Sequence, residues 1–216
     1  MKAKPEGHGP SGFAFMILII DHQDSFTRNL EHLLANFDRV SVMDRKEIKQ
    51  KQIEEADLIV FSPGPGKPDD YPETKKIYRE TVGHKPILGI CLGFQLILQE
   101  EGARISRQDQ VLHGVETDIE IIPQTMTYCE IGNPLRVARY HSLQVHPDSL
   151  HSLTQTIKIT ARDPLRNTPL SFEDLDRKLF GLQYHPESFL TNQGKIIIQN
   201  IRHACVDNIG RTDQTS

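Results

Sequence analysis

Pro86-Ile87-Leu88-Gly89-Ile90-Cys91-Leu92-Gly93-Phe94-Gln95-Leu96-Ile97-Leu98-Gln99-Glu100-Glu101-Gly102 decides how this chain folds. Pro86 to Ile90 is a short, wholly apolar run of the kind a strand shows when both of its faces are buried. Phe94 to Glu101 is built of good helix formers, with Gly102 placed to end the helix. Between them, Gly89-Ile90-Cys91-Leu92-Gly93 sets a glycine two residues either side of a cysteine, the spacing of the G-x-S-x-G elbow with sulfur in place of oxygen. A strand, a tight turn and a helix therefore push Cys91 out at the C-terminal edge of a sheet. The positive end of the helix dipole there favours thiolate over thiol. A lone cysteine beside a strand is more often a small buried hydrophobe; the flanking glycines and the partners below turn the reading towards a nucleophile.

Upstream, the same alternation repeats. Met16 to Ile20 is a second continuous apolar run, hence a buried strand. Phe26, Leu30, Leu33, Leu34 and Phe37 then fall on one helical stripe, with Asp24 or Ser25 placed to cap it. Arg39 to Met43 and Asp57 to Phe61 read as strands and Tyr71 to Val82 as a helix. Alternation of this kind predicts an α/β fold with a mostly parallel central sheet flanked by helices and joined by right-handed crossovers. Past Gly102 the pattern shortens to β-like stretches at Thr117 to Ile122, Leu135 to Tyr140, Thr156 to Thr160 and Leu179 to Tyr184, which predict smaller antiparallel additions. Arg162 to Lys178, charged and carrying two prolines, reads as a surface loop. Lys195 to Ala204 reads as the last helix.

With 216 residues, one domain accounts for the chain. Residues 1–15 read as a disordered leader, 16–205 as the domain and 206–216 as a flexible tail. The 25 basic residues are scattered among 29 acidic ones for a net charge of −4, which leaves no electrostatic footprint for nucleic acid. Cys91, Cys129 and Cys205 are odd in number and far apart, which fits neither a disulfide framework nor a four-ligand zinc site and points to a reducing, cytoplasmic compartment. The apolar run Phe13 to Ile20 is too short to span a bilayer, so no membrane partner is expected.

A cysteine nucleophile needs an imidazole within reach and a third group to hold that ring. Two segments offer both, His146-Pro147-Asp148 and His185-Pro186-Glu187. In an extended segment residues two apart face the same side, so either carboxylate can serve its own histidine, stiffened by the intervening proline. His185 has the better address, at the end of a clear strand, where α/β sheets place their sites. Taken alone, either segment reads more readily as a surface turn. Ser62-Pro63-Gly64-Pro65-Gly66-Lys67-Pro68 lacks the Walker spacing of a phosphate loop, and Pro68 stands where a magnesium-binding hydroxyl belongs. A glycine amide there suits a developing oxyanion, although a simple turn fits the sequence equally well.

Taken together, Ser62-Pro63-Gly64-Pro65-Gly66, Gly89-Ile90-Cys91-Leu92-Gly93-Phe94-Gln95 and Gly181-Leu182-Gln183-Tyr184-His185-Pro186-Glu187 closely resemble the class I, triad-type glutamine amidotransferases. The resemblance runs from about Met16 to Cys205. Asp24-Ser25-Phe26-Thr27 and Arg139-Tyr140-His141-Ser142-Leu143 narrow it to the glutaminase subunits of anthranilate synthase and aminodeoxychorismate synthase. It implies a flavodoxin-like fold, Cys91 as nucleophile, His185 as acid/base and Glu187 as its orienter. It also implies oxyanion donors at the amides of Gly64 and Leu92, and a glutamine site from Gln95, Pro65, Gly66, Ser142 and Leu143.

The resemblance settles the histidine choice and leaves His146 a bystander. It calls for no metal and no cofactor, and it implies a heterocomplex in which ammonia from glutamine passes to a chorismate-aminating synthase. Two readings from other classes are a free-standing cysteine hydrolase of γ-glutamyl compounds and a non-catalytic partner-binding module. The chain departs from relatives at His22-Gln23, at Phe94, and at His113-Gly114-Val115-Glu116-Thr117, where an expected lysine is replaced by Val115 in the stretch that faces the synthase in relatives.

Overall fold

In the first strand, β1 (Met16–Asp21), Ile17 and Ile19 point into one apolar layer and Leu18 and Ile20 into another, so both faces of the sheet must be covered. The computed structural model describes residues 15–108 and 111–206. It supplies the covering helices in sequence: α1 (Thr27–Leu34), β2 (Arg39–Asp44), α2 (Gln50–Glu55), β3 (Leu58–Phe61), α3 (Pro72–Thr81), β4 (Ile87–Ile90) and α4 (Leu92–Glu100). After them come β5 (Ile105–Arg107), β6 (Val115–Ile121), β7 (Leu135–Arg139), β8 (Leu143–Val145), β9 (Lys158–Arg162), β10 (Pro169–Asp174), β11 (Leu179–Leu182) and α5 (Gly194–Val206). Leu30 and Leu34 of α1 and Ile197, Ile198 and Ile201 of α5 close the Ile17 face. Ile53, Tyr78, Leu96 and Ile97, from α2 to α4, close the other. Each such aliphatic side chain contributes about 1.5–3 kcal/mol on burial.

Among the described residues nine strands form one sheet in the order β2-β1-β3-β4-β11-β10-β9-β6-β7, and β5 pairs with β8 in a separate two-stranded sheet. The pairings from β2 through β11 are parallel, the α/β arrangement that the alternation predicts. From β11 onward they are antiparallel. The antiparallel strands thus continue the central sheet and are not separate appendages. The far strand β7 does not end in solvent: Ala138 O accepts from His185 N at 3.1 Å and Ala138 N donates to Thr191 Oγ1 at 3.0 Å. This edge is closed by the segment that follows β11, so the antiparallel half returns to the end of the parallel half.

Two expectations need correction, and one helix is unforeseen. Arg162 to Lys178 is not a surface loop, since it contains β10, buried at every residue and central in the sheet order. Its polar residues mislead because each is satisfied inside: Glu173 accepts from Met126 N, Thr127 N and Thr127 Oγ1, and Ser171 bonds Tyr128 and Thr160. Pro169 sits at the first position of the strand, where a missing N–H is tolerated. Secondly, neither Asp24 nor Ser25 caps α1, which begins after Phe26 without a side-chain cap; Asp24 Oδ1 accepts from Phe26 N at 2.8 Å in a turn ahead of the helix. Thirdly, Gln50–Glu55 forms a short helix that the pattern does not announce. Apart from Phe15 and Val206, the leader and tail lie outside the described residues. No helix among the described residues is long and apolar enough to cross a membrane.

Candidate active site

Cys91 links β4 to α4 with φ 51° and ψ −95°, a left-handed backbone that a cysteine holds only under strain. The strain is fixed from both sides: Cys91 N donates to Leu182 O on β11 at 2.8 Å, and Cys91 O accepts from Gln95 N at 3.1 Å. The flanking glycines do not make the bend. They let strand and helix approach: a Cβ on Gly89 would meet Gly93 C at 2.5 Å, and one on Gly93 would meet Phe61 O at 2.4 Å. Cys91 is 7% exposed, at the C-terminal ends of parallel strands, where open α/β sheets bind ligands.

Since β11 lies beside β4, the segment after β11 arrives next to Cys91. His185 and Glu187 form a buried pair, their side chains 2% and 0% exposed, with His185 Nδ1 donating to Glu187 Oε1 at 2.7 Å. That bond leaves Nε2 for the sulfur. Nε2 is buried without a partner in strict hydrogen-bond geometry, and Cys91 acts on it at looser range. Burial works against a charged ring, but the Glu187 carboxylate and Cys91 outweigh it and hold the His185 pKa well above its ordinary value. Phe26 and Tyr140 wall the ring at centroid distances of 4.8 Å and 5.0 Å.

The remaining candidates group around this centre. Gly64 lies against Leu92 and His22, where a Cβ would meet Leu92 Cδ2 at 2.5 Å and His22 Cβ at 2.6 Å. Pro65 O accepts from Tyr71 Oη at 2.7 Å, and Gly66 has φ +74°. His22 secures the start of this loop. Its backbone N donates to Ser62 Oγ at 2.9 Å, its Nδ1 donates to Ser62 O at 3.1 Å, and its Nε2 therefore accepts from Thr74 Oγ1 at 3.0 Å. Burial pushes the His22 pKa down to about 4, so the ring is neutral at physiological pH and keeps that tautomer.

Gln95, 3% exposed, donates through Nε2 to Leu143 O at 3.1 Å, and Ser142, next in sequence to Leu143, is exposed. His146 stays apart from these groups: it caps the turn Pro147–Ser152 and is tied to Asp148. Several residues near the centre stand in the quoted motifs but have no role assigned from the sequence. His141 Nδ1 donates to Leu143 O at 2.7 Å while Nε2 accepts from Arg139 Nε at 3.1 Å, and Arg139 Nη1 donates to Asp163 at 2.7 Å. Burial and then Arg139 push the His141 pKa down to about 3. Gln183, two positions before His185 and so on the same side of an extended segment, is the one whose place the spacing already hints at.

Known proteins are similar to this chain. The family model described as glutamine amidotransferase class-I matches residues 18–204. Anthranilate synthase component 2 of Lactococcus lactis is 34% identical over 194 residues, 89% of this chain and 96% of that protein. Aminodeoxychorismate synthase component 2 of Escherichia coli is 35% identical over 197 residues, 87% of this chain and all of that protein. Among solved structures, a glutamine amidotransferase from Thermotoga maritima shares the fold with a TM-score of 0.69 at 17% identity, over 89% of this chain and 98% of that one.

Proposed function

The chain belongs to the glutamine amidotransferase class-I family, and from that premise we propose that it is a glutaminase subunit, releasing ammonia from L-glutamine at Cys91 for a chorismate-aminating synthase. The observation that carries the reading is the strained Cys91 at a helix N-terminus beside the buried His185–Glu187 pair. In the first step the Cys91 thiolate attacks the side-chain amide carbon, and the amide C=O electrons move onto oxygen. The backbone amides of Gly64 and Leu92 receive that oxyanion, each donor contributing about 3–4 kcal/mol in the transition state. His185, kept protonated by Glu187, gives its proton to the departing nitrogen as the C–N bond breaks. A γ-glutamyl thioester and ammonia result. The now neutral His185 takes a proton from water, hydroxide adds to the thioester carbon, and the C–S bond breaks to return the thiolate and release glutamate.

Gln95, Pro65, Gly66, Ser142 and Leu143 form the walls that hold glutamine in this scheme. Relatives named as component 2 of anthranilate synthase and of aminodeoxychorismate synthase support a heterocomplex in which the ammonia aminates chorismate, with anthranilate or 4-amino-4-deoxychorismate as the product. Three free cysteines among the described residues accord with work in the cytoplasm. The test is ammonia release from glutamine by the purified chain, alone and with candidate synthase subunits. Wild type is expected to turn over and Cys91→Ala to fall to background; equal inertness of the two with every synthase overturns the proposal.

A further inference from the structure

Gln183 is fully buried, and its carboxamide lies between Gln95 and the sulfur. Gln183 Nε2 is 3.7 Å from Cys91 Sγ, and Gln183 Oε1 accepts from Gln95 Nε2 at 3.0 Å. A glutamine amide can be turned over, exchanging its donor and acceptor ends, so its direction must come from its partners. Here the partners fix it. Leu143 O can only accept, and it does so from both His141 Nδ1 and Gln95 Nε2. His141 must donate through Nδ1, because its Nε2 is taken by Arg139 Nε, which only donates. The NH2 end of Gln95 is thereby held on the Leu143 carbonyl, and Gln183 must offer it an oxygen. Turning Gln183 over would set two NH2 groups against each other at 3.0 Å. The NH2 of Gln183 is left facing the sulfur.

We propose that Gln183 is a further catalytic residue, whose carboxamide donates a hydrogen bond to the Cys91 sulfur and favours the thiolate that pairs with the His185 imidazolium. A donor bonds a sulfur anion strongly and a thiol or thioester sulfur weakly. The bond therefore strengthens whenever the sulfur carries negative charge: as it is deprotonated for attack, and when the thioester C–S bond breaks and the electron pair returns to sulfur. The inference rests on the proposed function only in taking Cys91 as the nucleophile.

The experiment is alkylation of the full chain by iodoacetamide across pH, with the Cys91 peptide quantified by mass spectrometry so that Cys129 and Cys205 do not interfere. Gln183→Leu is expected to slow Cys91 alkylation at pH 7 about tenfold and to move the profile to higher pH, in line with loss of one hydrogen bond to a charged group. Gln183→Glu, which keeps an acceptor for Gln95 but turns oxygen on the sulfur, slows it at least as much. Glutamine turnover should lose kcat with KM within about twofold, the mark of an interaction used in the chemical step. A wild-type alkylation profile in Gln183→Leu overturns the inference; if that variant does not fold, the same result in Gln183→Glu does so. Should wild type release no ammonia while alkylation still depends on Gln183, the proposed function falls and the assignment of Gln183 stands.

Discussion

His146-Pro147-Asp148 and His185-Pro186-Glu187 share a local pattern, yet ring and carboxylate stand 3.8 Å apart in the first and 2.7 Å apart in the second. In the first, Asp148 is 85% exposed and His146 Nδ1 accepts from the backbone N of Asp148, so its ring nitrogen serves a turn. In the second, both side chains are shut away, and Phe26 and Tyr140 leave the ring little freedom. The same three-residue pattern is thus a cap in one place and a charged dyad in the other. What separates them is the neighbourhood: β11 delivers its segment to Cys91, and the closed edge of β7 presses Tyr140 against the ring.

The comparison is broken most directly at the two rings. His185→Ala is expected to lower kcat/KM for glutamine hydrolysis by about 10²–10⁴, and His146→Ala to leave it within about twofold; matched losses would dissolve the distinction. The carboxylates sharpen it. Glu187→Gln keeps an acceptor for Nδ1–H but removes the charge that sustains the imidazolium, and should cost about 10- to 100-fold in turnover, whereas Asp148→Asn should cost nothing measurable.

Glu187 also leaves a signature in stability. A ring whose pKa is raised by folding binds its proton more tightly in the native state, so the pair stabilises the fold in full below the unfolded value of about 6.5. That contribution is lost as pH rises through the higher native value. Between pH 6 and pH 9, urea unfolding should show wild type losing more stability than Glu187→Gln.

The smallest effect is expected where the twins are alike. Thr191 Oγ1 donates to His185 O and accepts from Ala138 N, while Ser149 Oγ donates to His146 O and accepts from Arg104 N. Thr191→Val strands a buried N–H and should cost about 1–3 kcal/mol by denaturation. Ser149→Ala, next to the exposed Arg104, should cost about 1 kcal/mol.

The parallel half was legible because its rules are local. Met16 to Ile20 and Pro86 to Ile90 are apolar without interruption, and the elbow around Cys91 carries its own punctuation. The antiparallel half hides its centre. Ser171, Glu173 and Asp174 of β10 find their partners 11 to 47 residues away or in the next turn, and no window of sequence shows that these polar side chains are satisfied. The candidate site divides likewise. Cys91, His185 and Glu187 could be named from spacing and family motifs. Gln183 meets the sulfur and Gln95, and Gln95 meets the Leu143 carbonyl that His141 also serves, through contacts 48 to 92 residues apart that only the folded chain makes.

The backbone at Cys91 has a consequence for selection. A left-handed φ in a residue that carries a Cβ costs about 1–3 kcal/mol, and glycine would hold the same turn without that cost. At position 91, then, thermodynamic fitness and chemical fitness favour different amino acids. A population freed from the need for the reaction would be expected to drift first here, towards a sturdier and inert chain.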